Sequence, residues 1–274
     1  MDTRDVDAAL ARLRDIIRSV GSAVIAYSGG VDSTLVAAVA RQELGERVLA
    51  VTAESEMYPQ FQLDDAAHTA ERLGIRHEVI HTRELEIGCF SDNPPDRCYY
   101  CKRELFTRMR EIAEREGLSA VLDGANADDP HDHRPGLRAA EELGVKSPLR
   151  EGGIGKEMVR AISRELRLPT AGKPAFACYA SRFPYGMRIT PESIEKVRLA
   201  EELLRSLGLA QYRVRHHDTI ARIEVPAEEI EKLASAAVRA KIVGELKRIG
   251  YTYVTLDLEG FRSGSMNEVL PEGT

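Results

Sequence analysis

The stretch AYSGGVDSTLVAAVA, residues 26–40, decides the fold. It joins the apolar, β-branched run SAVIAYS (22–28) to a segment of helical period, and the joint holds two adjacent glycines, an aspartate and hydroxyl residues. A turn that leaves a strand and enters a helix presents free backbone N–H groups and the positive end of the helix dipole, which together bind an anion. Gly29 and Gly30 let the main chain come close to a ligand because no Cβ intervenes. Ser28, Ser33 and Thr34 add hydroxyl donors, and Asp32 suits a Mg2+ that bridges phosphate oxygens. The spacing is neither G-x-x-x-x-G-K-S/T, since the turn has no lysine, nor G-x-G-x-x-G. Read from these residues alone, the alternative is an ordinary glycine turn capping a helix.

Outward from this joint, strand-like and helix-like runs alternate. RVLAVTA (47–53), RHEVIHT (76–82) and SAVLDGA (119–125) read as further strands, with helices expected over 34–44, 61–73 and 101–116. Such alternation predicts an α/β fold in which right-handed crossovers build a parallel, doubly wound sheet with helices on both faces. Ligands of these sheets gather at the carboxyl ends of the strands, so chemistry is expected in the loops that follow them. The pattern changes at about residue 190. A helix opens at TPESIEKVRLAEELLRSLG with Thr190 as N-cap and Pro191 at its first position. QYRVRHHDTIARIEV reads as two short strands, AEEIEKLASAAVRAKIVGELKRIG as one helix and YTYVTLDL as a last strand. The expected organisation is a domain over 1–189 and a second, smaller α/β domain over 190–274, joined through the loop-rich segment 168–190.

The 274 residues, 43% hydrophobic and 30% charged, describe a globular chain with material for a sizeable core. No apolar run approaches the roughly 20 residues a membrane helix needs, and MDTRDVDAALARLRDIIRSV carries charges throughout, as an amphipathic helix of a cytoplasmic protein does. A formal net charge of −6 disfavours nucleic acid as a partner. Four cysteines without a secretion signal argue against a disulfide framework and for thiolate chemistry or soft-metal binding.

SGGVDST resembles the PP-loop signature of the ATP pyrophosphatases, which include GMP synthetase, NAD synthetase, argininosuccinate synthetase and several tRNA-thiolating enzymes. The resemblance implies that the loop holds the pyrophosphate of ATP while the α-phosphorus is attacked, giving an adenylylated substrate and free pyrophosphate. NPPDRCYYCKRELF (93–106), DGANADD (123–129), KPAFACYASRFPYG (173–186) and YRVRHHDTIARIEV (212–225) together resemble the LarE sulfur transferases across nearly the whole chain. That likeness implies a pyridinium bis-carboxylic acid mononucleotide as substrate, adenylylation of its carboxylate, replacement of AMP by sulfur in nickel-pincer nucleotide synthesis, and a homo-oligomer.

Cys178 lies between prolines and beside Ser181 and Arg182; a thiolate attacks acyl adenylates, and a nearby arginine favours its charged form. In LarE-like proteins with this single cysteine, the match implies a sacrificial donor that forms a thioester, loses its sulfur by elimination and becomes dehydroalanine. Here, however, Cys98 and Cys101 form a C-x-x-C at a helix start, and with Cys178 would make a three-thiolate corner for a 4Fe–4S cluster. A zinc site or redox dithiol is the alternative, with His131 or His133 as a further zinc ligand. Cys89 lacks a partner at ligand spacing and reads as structural.

Lys102 directly follows the second cysteine and suits a phosphate or carboxylate near the sulfur. Arg213 and Arg215 alternate on one strand face, either solvated or, as the LarE likeness implies, gripping a substrate phosphate with Ser181 and Arg182 in the same pocket. In DGANADD the turn after a strand offers Asn126, Asp128 and Asp129 to nucleotide or Mg2+. Glu201 and Glu202 are adjacent on a helix and cannot both face one site; whichever points inward is a candidate metal ligand or base. A tRNA thiolase, an amidating synthetase and a nucleotide-binding module without catalysis are the competing functions. Pyrophosphate release that depends on a nicotinate-derived carboxylate separates them.

Overall fold

The computed structural model describes residues 3–128, 135–262 and 264–270. The chain divides into two compact units, Met1–Arg83 with Asp96–Phe176, and Glu84–Pro95 with Ala177–Thr274. No helix among the described residues is long and apolar enough to cross a membrane.

The first unit is built on β1 (Ala23–Ala26), in which Ala23, Val24 and Ile25 have no exposed surface. A strand so apolar on both faces belongs in the middle of a parallel sheet covered on both sides. It is flanked by β2 (Val48–Glu54) and β4 (Ala120–Leu122), with β3 (Arg76–His81) outermost, in the parallel order β3-β2-β1-β4. Ile25 is in register with Ala50 on one side and Leu122 on the other. The chain winds from β1 outward to β3 and then crosses to β4 on the opposite side of β1. The strand order thus reverses between β1 and β4, and a ligand crevice is expected outside their carboxyl ends.

One face of the sheet is covered by α1 (Thr3–Val20), which turns Leu10, Leu13 and Ile17 inward at helical spacing, and by α2 (Val31–Leu44). Buried nearly all round, α2 packs against both α1 and α8 (Lys156–Glu165). The other face is covered by α5 (Arg97–Glu116), whose Phe106, Met109 and Ile112 meet Val24, Leu49, Val51 and Val121. The unit also contains α3 (Gln60–Arg72), α6 (Pro135–Glu142) and the single-turn α7 (Pro148–Glu151). The parallel α/β class expected from alternation is therefore the observed one.

In the second unit α9 (Pro191–Ser206) begins with a full capping box: Thr190 Oγ1 accepts from Ser193 N–H, and the Ser193 hydroxyl accepts from Thr190 N–H. The sheet runs β5 (Arg213–His217), β6 (Ile220–Glu224) and β7 (Tyr253–Leu256), with β5 antiparallel and β7 parallel to β6. The helix expected over AEEIEKLASAAVRAKIVGELKRIG is broken into α10 (Ile230–Ala234) and α11 (Ala236–Ile249). Ser235 stands between them with ψ 144°, its hydroxyl donating to the Lys232 carbonyl at 2.8 Å. A short hydroxyl side chain competes with the helix for its own backbone in this way.

Residues 84–95, which include the single-turn α4 (Gly88–Ser91), belong to the second unit because they are tied to 183–189. Asn93 Nδ2 donates to the Pro184 carbonyl at 2.7 Å and to that of Phe183, while its own carbonyl accepts from Gly186 N–H at 2.9 Å. The division consequently falls at 176–177, ahead of the change of pattern at 190.

Burial holds His77, His216 and His217 below the ordinary imidazole value, with the positive charge of Lys196 adding to the effect at His216 and that of Arg222 at His217. Each therefore takes up its proton at lower pH in the folded chain than in the unfolded one, which titrates near about pH 6.5, so the stability they contribute is complete above that value and is lost as pH falls below it. The melting temperature should fall between about pH 7.5 and about pH 5.5, with a shallower slope for His216→Phe. A pH-independent wild-type melt over that window would contradict the assignment.

Candidate functional site

Between β1 and α2 the backbone makes the turn that an anion cradle needs. Gly29 has φ +65°, and a Cβ there would stand 2.8 Å from Ala66 Cα, so the position excludes every side chain on both conformational and steric grounds. Gly30 precedes α2 with no side-chain cap, which leaves the N-terminal amides of the helix without an internal acceptor. Ser33 Oγ ties the turn together: it accepts from Ser28 N–H at 3.2 Å, donates to the Gly30 carbonyl at 3.3 Å and lies 3.2 Å from Ser28 Oγ. Thr34, grouped with these hydroxyls on sequence grounds, is instead fully buried in the core.

Asp32, in the first turn of α2, gathers the next loop around it. Asn126 Nδ2 donates to Asp32 Oδ1 at 3.3 Å, and Asn126 Oδ1 accepts from Asp128 N–H at 3.0 Å. Gly124 presses against the start of α2, where a Cβ would lie 3.0 Å from Ser33 N. The second oxygen of Asp32 forms an ion pair with Lys156 Nζ. Lys156 opens α8, and its backbone N–H donates to Asp128 Oδ2 at 2.7 Å. Sequence reading passed over Lys156, although a glycine followed by a helix-opening lysine in GGIGKE was the available signal. Asp129, His131 and His133 lie outside the described residues.

A Mg2+ fits this constellation. Asp32 offers hard oxygen ligands next to uncapped amides, and its carboxylate already holds a cation in the form of the Lys156 ammonium.

The thiols are distributed over both units. Cys98 and Cys101 occupy the first turn of α5, three residues apart and hence on one helical face, each half-buried. Lys102 follows them, its stem against Gly136 of α6 and its ammonium 5.4 Å from the Phe106 ring centre. The helix starts at Arg97, earlier than the expected 101, which brings both cysteines into it. Cys178 and the exposed Cys89 belong to the second unit. Within either unit, no three His, Cys, Asp or Glu side chains among the described residues form a metal-binding group.

Around Cys178 the second unit assembles a dense set of guanidinium groups. The Cys178 carbonyl accepts from the Ser181 hydroxyl at 2.9 Å and from Arg182 Nη1 at 3.3 Å. Arg182, 1% exposed, meets Glu201 through two bonds of 2.7 and 3.0 Å, and Glu201 Oε1 also accepts from Val214 N–H. Burial opposes the charge on Arg182, but Glu201 outweighs it and leaves the guanidinium above its ordinary value. Glu201 is the inward member of the adjacent pair; Glu202 instead binds Arg198 at 2.6 Å. Arg215 makes the same forked contact with Glu224, 2.8 Å on each arm, and donates to the Ser181 carbonyl.

Arg213 differs. Among the described residues no carboxylate pairs with it; its guanidinium lies 4.5 Å from the centre of the Phe261 ring. Burial, reinforced by Arg182 and Arg215, lowers its pKa to about 10. A guanidinium without a carboxylate partner can pair with an anion.

Comparison with known proteins agrees with this geometry. Residues 6–115 match the family described as NAD synthase. The chain is 45% identical to an uncharacterized protein of Synechocystis over 97% of its own length and 99% of the relative's. It is 41% identical to the pyridinium-3,5-bisthiocarboxylic acid mononucleotide synthase of Lactiplantibacillus plantarum, covering 95% of this chain and 93% of that one. Its identity to an uncharacterized protein of Methanocaldococcus jannaschii is 31%, over 88% and 90% of the two chains. With a PP-loop at the switch point of a parallel sheet and likeness running almost end to end, the chain belongs to the LarE family of ATP-dependent PP-loop sulfurtransferases.

Proposed function

We propose that this protein adenylylates a carboxylate of a pyridinium bis-carboxylic acid mononucleotide and converts it to a thiocarboxylate in the synthesis of a nickel-pincer nucleotide. The observation that carries the reading is the amide turn of Ser28, Gly29 and Gly30 with the Asp32 carboxylate one helical turn away, at the sheet's switch point. In the first step the carboxylate oxygen attacks the α-phosphorus; the bond to the β-phosphate oxygen breaks and pyrophosphate leaves. Ser28, Gly29, Gly30, Ser33, Thr34, Asn126 and Asp129 are the residues assigned to ATP, with Thr34 acting from beneath the turn. Asp32 would hold Mg2+, which when bound neutralises phosphate charge. Lys102 is assigned to the acyl phosphate side, and Ser181, Arg182, Arg213 and Arg215 to the substrate phosphate. In that pocket Arg213 is the contact and the two carboxylate-bound arginines are its frame.

For the sulfur step, Cys98, Cys101 and Cys178 are assigned as ligands of a 4Fe–4S cluster, which when bound supplies an iron without a protein thiolate for inorganic sulfide. The pairing of two thiols on one face of α5 favours this reading. A second reading rests on Cys178 sharing a unit with Arg213. There the Cys178 thiolate attacks the acyl adenylate, expels AMP, and the thioester then loses the Cys178 Cα proton and the Cβ–S bond breaks. The products are a thiocarboxylate and dehydroalanine. Glu201, held by Arg182, is a frame residue in either reading.

Pyrophosphate should be released from ATP by the anaerobically purified protein when the pyridinium bis-carboxylate mononucleotide is present, and not with tRNA or glutamine in its place. Release driven by tRNA alone would overturn the reading. Cys178→Ala should keep that release and abolish thiocarboxylate formation. Cys98→Ala should abolish it too if a cluster operates; a wild-type rate in that variant, with wild-type protein losing the mass of one hydrogen sulfide molecule per turnover, would select the sacrificial route.

The arginines should separate by phenotype. Arg213→Met should fold normally and bind the mononucleotide about ten- to hundred-fold more weakly, as expected for losing hydrogen bonds to a charged group. Arg182→Met should leave the Glu201 carboxylate buried without its partner and lower unfolding free energy by about 3–5 kcal/mol in chemical denaturation. Equal stability of the two variants would contradict the division between contact and frame.

A further inference from the structure

The Lys156 ammonium is paired with the Asp32 carboxylate, the group assigned above to Mg2+. Three features fix the surroundings of the base of that side chain. Its backbone N–H is held by Asp128 Oδ2 at 2.7 Å. The preceding residue is Gly155, where a Cβ would stand 2.6 Å from Asp128 Oδ1, so Asp128 closes directly over the start of α8. Asp128 is in turn tied to Asp32 through Asn126, which accepts from the Asp128 N–H and donates to the Asp32 carboxylate. The ion pair itself is open to solvent, with side-chain exposures of 35% for Lys156 and 21% for Asp32. A pair so exposed adds little to folding stability.

We infer that Lys156 is an exchanging counter-ion: it neutralises Asp32 in the ligand-free protein and swings over to pair with the leaving pyrophosphate once a divalent cation takes the carboxylate. The inference rests on the reading of the turn as a pyrophosphate cradle. Asp32 lies in the first turn of α2, so an ammonium on its carboxylate is within one helical turn of the uncapped amides. The movement required is a rotation of the terminal lysine torsions about a fixed root. The side chain suits the task, being a compact charge on a flexible four-carbon stem. No charge is left unpartnered in the exchange: the metal replaces the ammonium on Asp32, and the ammonium meets negative charge that develops as the bond between the α-phosphorus and its bridging oxygen breaks. Lys156 also supplies what the turn lacks by comparison with G-x-x-x-x-G-K-S/T loops, a lysine directed at the terminal phosphates. Here it arrives from a helix far along the chain.

Calorimetric titration of inorganic pyrophosphate with Mg2+ into the full chain, alongside AMP, tests this. Lys156→Met should bind pyrophosphate about ten- to hundred-fold more weakly than wild type, with AMP affinity unchanged and ligand-free melting nearly so. Lys156→Arg should recover part of the loss. Without phosphate, Mg2+ should bind Lys156→Met more tightly than wild type, because no ammonium competes for Asp32. Wild-type pyrophosphate affinity in Lys156→Met overturns the inference and leaves the cradle intact. A Lys156→Met chain that does not fold also overturns it, by making the pair structural. Failure of the wild-type protein to bind pyrophosphate removes the cradle reading itself, and the lysine's role with it.

Discussion

A helix that must be buried on nearly every side and yet begin without a cap is the constraint around which the first unit is arranged. The apolar surface of α2 is absorbed by the sheet, by α1 and by α8. Its N-terminal amides remain without a side-chain acceptor because Gly30 stands where a serine or aspartate would normally cap. The neighbouring loops are shaped to that end. Gly29 admits the backbone of α3 at Ala66, and Gly124 admits the loop after β4 against Ser33. Stability comes from the apolar body of the helix, and its polar end is left to a ligand.

The second unit meets a different electrostatic problem. Two arginines without exposed surface to speak of are tolerable because each is held by a carboxylate in a forked geometry that meets charge and hydrogen bonds together. A third, Arg213, is left with an aromatic ring and two like-charged neighbours. Of the three, Arg213 alone lacks a carboxylate partner among the described residues, and Glu201 and Glu224 reach it only through the field they share with Arg182 and Arg215.

What could be read from the chain beforehand follows the same physics. Apolar runs and helical spacing made β1 to β3 and the helices beside them legible, because a buried strand or an amphipathic helix carries its environment in its composition. The turn at residues 28–33 was legible because its glycines answer to a local backbone requirement. Thr34 was legible as a hydroxyl of the turn but not as a fully buried one, because residue type does not reveal how deep a helical position lies. Glu201 read as a possible metal ligand since nothing local announces a carboxylate claimed by Arg182 and by the Val214 amide. Lys156 carried only the local signal of a helix-opening lysine after a glycine, its partner Asp32 being brought to it by the fold alone. The break at Ser235 went unseen because serine is neutral in helices until its hydroxyl finds its own backbone.

The short insertion 84–95 means that the polypeptide passes between the two units three times, at 83–84, 95–96 and 176–177. Neither unit is therefore a contiguous fragment. A chain cut after residue 176 strands Asn93 without the Phe183 and Pro184 carbonyls it binds, and leaves Ile189 N–H without the Ser91 carbonyl. A single splice at 176–177 therefore cannot separate the two units of this chain, because the loop 84–95 has to travel with residues 183–189.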